Sequence, residues 1–367
     1  MAAPVRERAA APLDVTPGFA DPPLERPLAG DRVLALERLA GAERLAQYGA
    51  AEQALAPVRA ALAADPSCVE ARLLHAKLLL EPGPLHDPLA GLREARLAAL
   101  VAPEQPAVVA TEALARFLLG DSLRAEPLLE RCAALPEGAL SAGLRAATLE
   151  AHGFLLLRHG ALDAAGERMA AAAALRPQRG YTRYGLARVA GERGDLATEL
   201  AELDAAVRCD PHLLVAWHER AQLLRRAKRV EEADRARRIA ELLRELQDDT
   251  SERFAQDHAG KARRWLELAK LDDTAQSWLA RFAALTAAHD HATVAREGEL
   301  WLACHPLRGD LVVETARAQA RLGEAGAARA TLARLAECRP RPPPELEAAL
   351  ARELEALLRA APRQAGR

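Results

Sequence analysis

The densest group of side chains able to hold a transition metal is His289, Asp290, His291, Cys304 and His305. Three of these are consecutive, and neighbouring residues turn toward one ion only with difficulty, so a solvated polar turn is the simpler reading. The helix-like stretch from His218 to Gln222 begins as zinc-protease helices do, with histidine then glutamate, but Gln222 stands where the second imidazole would be needed. Five cysteines, Cys68, Cys132, Cys209, Cys304 and Cys338, are an odd, scattered set without a C-x-x-C pair, which suits neither a disulfide frame nor a zinc site. Cys209, Cys304 and Cys338 each stand two residues before a proline, and this repeated position reads as a small buried apolar slot. The sequence contains no phosphate-binding glycine loop of the G-x-x-x-x-G-K-[ST] type, no dinucleotide fingerprint and no G-x-S-x-G elbow. No cofactor, metal or catalytic residue is therefore assigned, and the chain reads as a non-enzyme. A metal-dependent enzyme built on the His289 region is the least favoured alternative.

The run Arg225 to Arg238 is locally basic, but Glu231, Glu232 and Asp234 lie three or four residues from arginines and allow ion pairs along a helix. Without interleaved aromatics, and with a net charge of only −2, it reads as a solvated helix face and not as a nucleic-acid site. No stretch has the unbroken apolar length of a membrane span. The chain thus reads as soluble and cytoplasmic, although an exported protein that had lost its leader would look the same.

These side chains must be positioned by helices. Of 367 residues half are apolar, only 3% are aromatic, and Leu, Ala, Arg and Glu, all good helix formers, dominate. Lysine is confined to Lys77, Lys228, Lys261 and Lys270, and asparagine is absent, a skew that fits GC-rich, bacterial-like codon usage. Gly49, Gly83, Gly120, Gly160 and Gly194 follow one another at 34, 37, 40 and 34 residues. Prolines keep step: Gly49 to Pro66, Gly160 to Pro177, Gly194 to Pro211 and Gly323 to Pro340 are all 17 residues apart. Small residues recur on the same ruler, Ala42, Gly153, Ala187 and Ala316 before the turn, Ala54, Ala165 and Ala328 after it, with Glu199 the exception. Small side chains let two antiparallel helices approach, glycine supplies a left-handed turn, and proline stops the second helix. The unit is a repeated αα-hairpin.

In these features the chain resembles the tetratricopeptide repeat family. The clearest matches run from Gly153 to Pro177, Gly185 to Pro211 and Ala316 to Pro340, and Trp217 occupies a place where the family often carries tryptophan. The resemblance implies an all-α, right-handed superhelical solenoid of about eight antiparallel hairpins with a C-terminal capping helix. Residues 1–31, rich in proline and alanine, read as a mobile arm. Residues 32–247 hold about six hairpins, and 275–343 hold two more. Between them, 248–274 breaks the ruler, since turn-like Lys228 and turn-like His289 are 61 residues apart. There the sequence predicts helix starts in Asp248 to Phe254 and Asp272 to Trp278, and an irregular helix broken at Gly260, dividing the array into two sub-stacks. Residues 344–367 form the capping helix and a frayed tail, and Glu81 to Pro88 lengthen one turn.

In the family the first helix of each hairpin lines the inner groove. Carried onto this chain, that places Glu150, Phe154, Leu157 and Arg158, then Tyr181, Tyr184 and Arg188, then His218, Gln222, Arg225 and Arg226 on the ligand face. Tyrosine and arginine are enriched at binding hot spots. The expected function is a non-catalytic scaffold that grips a protein or peptide segment with acidic groups or a free C-terminus. Phe154, Arg158, Tyr181, Tyr184, Arg188, His218, Gln222 and Arg225 form its partner-binding groove. Family members that clamp chaperone tails use Lys and Asn on these faces, and a chain with no Asn cannot present that clamp. A regulatory or assembly subunit of a multi-protein enzyme complex is the alternative.

Overall fold

The computed structural model describes residues 24–48, 50–83, 85–247, 257–272 and 274–361. The turn at Gly49, the helix start expected in Asp248 to Phe254, most of the expected arm and the end of the tail lie outside them. Among the described residues there are 18 α-helices and no strand. The first six are α1 (Arg32–Tyr48), α2 (Ala51–Ala64), α3 (Val69–Leu80), α4 (Pro88–Val101), α5 (Pro106–Leu118) and α6 (Ser122–Ala133). Next come α7 (Ala142–Arg158), α8 (Leu162–Leu175), α9 (Gly180–Glu192), α10 (Leu196–Cys209), α11 (Leu214–Arg226) and α12 (Val230–Gln247). The last six are α13 (His258–Asp272), α14 (Ala275–Ala287), α15 (His291–Cys304), α16 (Gly309–Arg321), α17 (Ala325–Ala333) and α18 (Pro344–Ala360).

Local chemistry explains the boundaries. The side chains of Asp87, Ser141, Asp195, Thr274 and Asp290 each accept a bond from the N–H three residues on, which satisfies an orphan donor of the first turn. Pro88, Pro106 and Pro344 begin helices, where the missing N–H costs nothing. Gly120, Gly160, Gly194 and Gly323 sit at φ between 74° and 78°, and Lys228 and His289 take the same left-handed conformation in their turns. All seven small residues on the sequence ruler are buried. Consecutive helices pack as antiparallel pairs from α1/α2 through α11/α12. First helices of neighbouring pairs also touch one another, α1 with α3, α3 with α5, α5 with α7 and α7 with α9, while second helices stay further apart. That asymmetry curves the array with the first helices inside.

Two expectations change. Gly260 does not break a helix: its N–H donates to Asp257 Oδ1 at 2.8 Å, and α13 continues unbroken to Asp272. Nor is the core interrupted there, because Ile239, Leu242, Leu243 and Leu246 of α12 pack with Leu268 of α13. His212, before α11, packs at a tilt against Trp265 with ring centres 5.1 Å apart, and its Nε2 lies 3.0 Å from Ser277 Oγ at the start of α14. Ser277 in turn donates to Asp272 Oδ2 at 2.6 Å. This histidine, serine and aspartate are not a hydrolytic triad, since the carboxylate bonds the serine and not the imidazole, and Ser277 is fully buried. Further on, α14 and α15 are held apart by large rings, with Trp278 and Trp301 at 5.1 Å.

The expected C-terminal helix α18 packs on the last hairpin and also reaches the first. Leu39 and Leu45 of α1 share one apolar cluster with Leu311 and Val312 of α16 and Leu346 and Leu350 of α18. Arg44 of α1 pairs with Glu345 of α18, and the Tyr48 hydroxyl approaches Gly309 at the start of α16. The array therefore returns on itself, and α18 seals the last hairpin against the first. Before α1, Gly30 and Asp31 donate to Asp65 Oδ1 and to the Ala64 carbonyl, so the segment is tied to α2 by its last two residues.

Candidate partner-binding groove

Small residues bring α7, α8 and α9 together. Met169 of α8 is fully buried between Gly153 and Gly185, and a Cβ added at Gly185 would lie 2.7 Å from the Met169 sulfur. That close approach sets Phe154 of α7 beside Tyr181 and Tyr184 of α9. The Phe154 ring is 4.7 Å from Tyr181 and 6.5 Å from Tyr184, and the two tyrosine rings are 5.8 Å apart.

The two tyrosines have different roles. Tyr181 keeps 38% of its surface exposed, whereas Tyr184 keeps 7% and belongs to the core with Ala187, Leu203 and Leu223. Tyr184 is thus not an accessible anchor, as the helical spacing had suggested; it is the floor beneath one. Burial raises its phenolic pKa, so the hydroxyl stays protonated and donates to Glu219 Oε1 at 2.9 Å. Arg188 donates to the same hydroxyl at 3.4 Å and lies 3.6 Å from Glu219 and from Glu192. The hydrogen bond with Tyr184, outweighing desolvation, raises the Arg188 pKa and keeps it cationic.

Glu150 is likewise buried, not groove-facing. It accepts two bonds from Arg179 Nε at 2.9 and 3.1 Å, another from Arg179 Nη2 at 3.0 Å, and one from the Thr182 hydroxyl, clamping α7 to α9. Arg158 is exposed and donates to Ser122 at 3.2 Å. His218 and Gln222 form an exposed pair on α11 at 2.7 Å, and Arg225 is exposed at the end of the same helix. The geometry therefore unites Phe154, Tyr181, Tyr184 and Arg188 in one cluster, with Arg158, His218, Gln222 and Arg225 on the flanking first helices. Glu219 and Glu192 are acidic neighbours of this cluster that the aromatic and arginine pattern did not single out, because acidic residues on a helix face are common.

A cleft of about 530 Å³ adjoins Tyr181, lined by Arg176, Gln178, Cys209, Asp210 and Gln276 among others. Gln276 belongs to α14, far along the chain, so no local pattern could announce the cleft. Cys209 is half-buried here, its thiol 3.8 Å from the Pro177 carbonyl. Cys338 is buried, but Cys304 is exposed, so the repeated slot before proline is not uniformly interior. The helix α15 separates His291 from Cys304 by its 14-residue length, roughly 20 Å at 1.5 Å per residue. One ion cannot be shared across it. Among the described residues no three His, Cys, Asp or Glu side chains converge as a metal site, and no helix is long and apolar enough to cross a membrane.

No family profile and no curated protein matches the chain. Many solved structures do. PilF of Pseudomonas aeruginosa is 15% identical, over 67% of this chain and 95% of its own, with a TM-score of 0.43. YrrB, described as a TPR protein with an unusual peptide-binding site, is 20% identical over 50% of this chain and 91% of its own, with a TM-score of 0.35. Human IFIT1, solved as a dimer with PPP-AAAA, is 16% identical over 77% of this chain and 68% of its own, with a TM-score of 0.42. The architecture is a tetratricopeptide-like array of helical hairpins. At such identities and loose superpositions, function must be argued from this chain's own residues.

Proposed function

We propose that the protein is a non-catalytic interaction scaffold that holds a segment of a partner protein against the inner face of α7, α9 and α11. One observation carries the reading: Tyr181, half-exposed and packed at a tilt against Phe154, sits beside Arg188, whose position is fixed by Tyr184 and Glu219. An aromatic face with a preset cation next to it grips an apolar side chain and an adjacent carboxylate with little loss of rotamer freedom. Arg158 and Arg225 extend the charge along the inner face, and a segment with acidic groups or a free C-terminus complements them. Replacing Tyr181 and Arg188 by Ala together is expected to lower capture of the native partner at least tenfold with unchanged helicity. Undiminished capture by that variant moves the site off this face.

A further inference from the structure

Each second helix begins beside the end of the next first helix, and the polar groups that meet there keep one register. Ser122, two residues past the turn residue Gly120, accepts at 3.2 Å from Arg158, two residues before Gly160. At the following junction Asp163, in the first turn of α8, pairs at 2.6 Å with Arg193, just past the end of α9. Near the C-terminal end, α15 packs on α16 in the same way. His291 stands two residues past the left-handed His289, and Arg321 two residues before Gly323, so they occupy the places of Ser122 and Arg158. Here the guanidinium faces an imidazole where the earlier junctions offer a hydroxyl or a carboxylate. Neither group is satisfied: His291 Nδ1 and Arg321 Nη1 are shielded from solvent without a hydrogen-bond partner among the described residues. A polar atom kept from water and left unbonded is costly, and such a pair marks a place where something else supplies the acceptor.

The surroundings are positive. The exposed His289 ring lies edge-on to His291 at 6.1 Å. Burial first, then Arg321 and His289, hold the His291 pKa below its ordinary value, against the pull of Asp290. Asp290 is engaged elsewhere, its Oδ1 accepting the Thr293 N–H at 3.2 Å as the cap of α15. Glu324, in the turn after Arg321, is exposed, and Arg321 is in no ion pair among the described residues. We propose that the junction of α15 with α16 is a phosphate-monoester site, in which Arg321, His291 and His289 donate to the phosphoryl oxygens. His291 and Arg321 are half-buried, so part of each stays open to a ligand. A phosphoryl group offers three strong acceptor oxygens to three donor side chains and a charge near −2 to their summed field. A carboxylate, with two oxygens and one charge, leaves a donor unmet. The site uses none of the residues of the aromatic groove, and a phosphoserine in a partner and a free phosphate present it with the same chemistry.

The test uses the full chain and a fluorescein-labelled peptide of glycine and alanine around one phosphoserine, followed by anisotropy, with the serine and glutamate peptides as controls. Wild type is expected to bind the phosphopeptide saturably and H291Q/R321Q at least tenfold more weakly, while Y181A/R188A binds it as wild type does. Because a bound dianion raises the His291 pKa, binding near pH 7.5 should take up protons. Calorimetry in two buffers of different ionisation enthalpy should show that uptake in wild type and a smaller one in H291Q. Arg321→Met separates function from folding: losing a partnerless guanidinium should leave the free chain melting no lower than wild type, and inorganic phosphate should raise the melting temperature of wild type but not of R321M. Competition by inorganic phosphate identifies the source: displacement only at large excess assigns the site to a phosphorylated side chain, and displacement at equal concentration to a free phosphate compound. Failure of wild type to bind, equal binding of the serine or glutamate peptide, or undiminished binding by H291Q/R321Q overturns the proposal.

Discussion

Replacing Glu150 by Ala tests the clamp that places Tyr181 over Phe154. Glu150 is buried and accepts from both the Arg179 guanidinium and the Thr182 hydroxyl, so its removal strands a cation and a hydroxyl at the α7–α9 contact. Breaking a fully buried pair from one side costs about 3–5 kcal/mol, and a hydroxyl left unsatisfied costs about 1–3 kcal/mol. The Arg179 side chain is 35% exposed and can regain water, which brings the expected loss to about 2–4 kcal/mol. For a chain of this length that lowers the melting temperature by roughly 3–5 °C. Urea titration followed by circular dichroism measures the loss. The double variant E150A/R179A should be less destabilised than the sum of the singles by about 1 kcal/mol or more, since the stranded cation is removed with its partner. A change below about 0.5 kcal/mol in E150A, or strict additivity in the cycle, refutes the clamp.

Gly298 of α15 faces the fully buried Thr315 of α16, and an added Cβ would lie 2.2 Å from its hydroxyl oxygen and 3.1 Å from its Cβ. Because threonine is branched and cannot swing aside, G298A should destabilise by about 2 kcal/mol or more, read by thermal unfolding. Burial holds the His212 pKa below its ordinary value, against the pull of Asp272 and Asp210, so the fold requires the neutral ring. Its contribution is complete above about pH 6.5 and is lost as pH falls toward the folded pKa. The melting temperature of wild type should therefore decline between about pH 7 and 5 more steeply than that of H212Q, which keeps a donor toward Ser277. Leu346→Asp places a carboxylate in the apolar contact between α18 and α1 and should open the closed array, seen as a larger radius of gyration in X-ray scattering; an unchanged radius contradicts the closure.

The hairpin ruler was legible because each unit satisfies local demands: a turn residue able to adopt positive φ, a stop at proline, and small residues where helices cross. Even Lys228 and His289 could be read as turns from their polar surroundings. What the sequence concealed depends on contacts distant along the chain. Nothing near α1 or α18 reveals that Arg44 and Glu345 meet, and nothing near Tyr181 reveals Gln276. The helical spacing brought Tyr181 and Tyr184 to the same side of α9, but a three-residue step on a helix also rotates a side chain by about 60° off alignment. That rotation is enough to leave one ring at the surface and send the other into the core. Glu150 was misplaced for a related reason: a carboxylate on an inner helix looks solvated until its partner, Arg179, arrives from the next hairpin. The break at Gly260 failed because Asp257 caps the helix there and glycine is well tolerated in a first turn.

A photo-crosslinking amino acid placed at Tyr181, with Arg208 on the outer helix α10 as the control position, tests the groove in the native cell. The account predicts a discrete adduct from position 181 alone, whose cross-linked peptide is an extended segment carrying acidic residues or a C-terminus. Adducts of equal yield from both positions, or from Arg208 alone, contradict it.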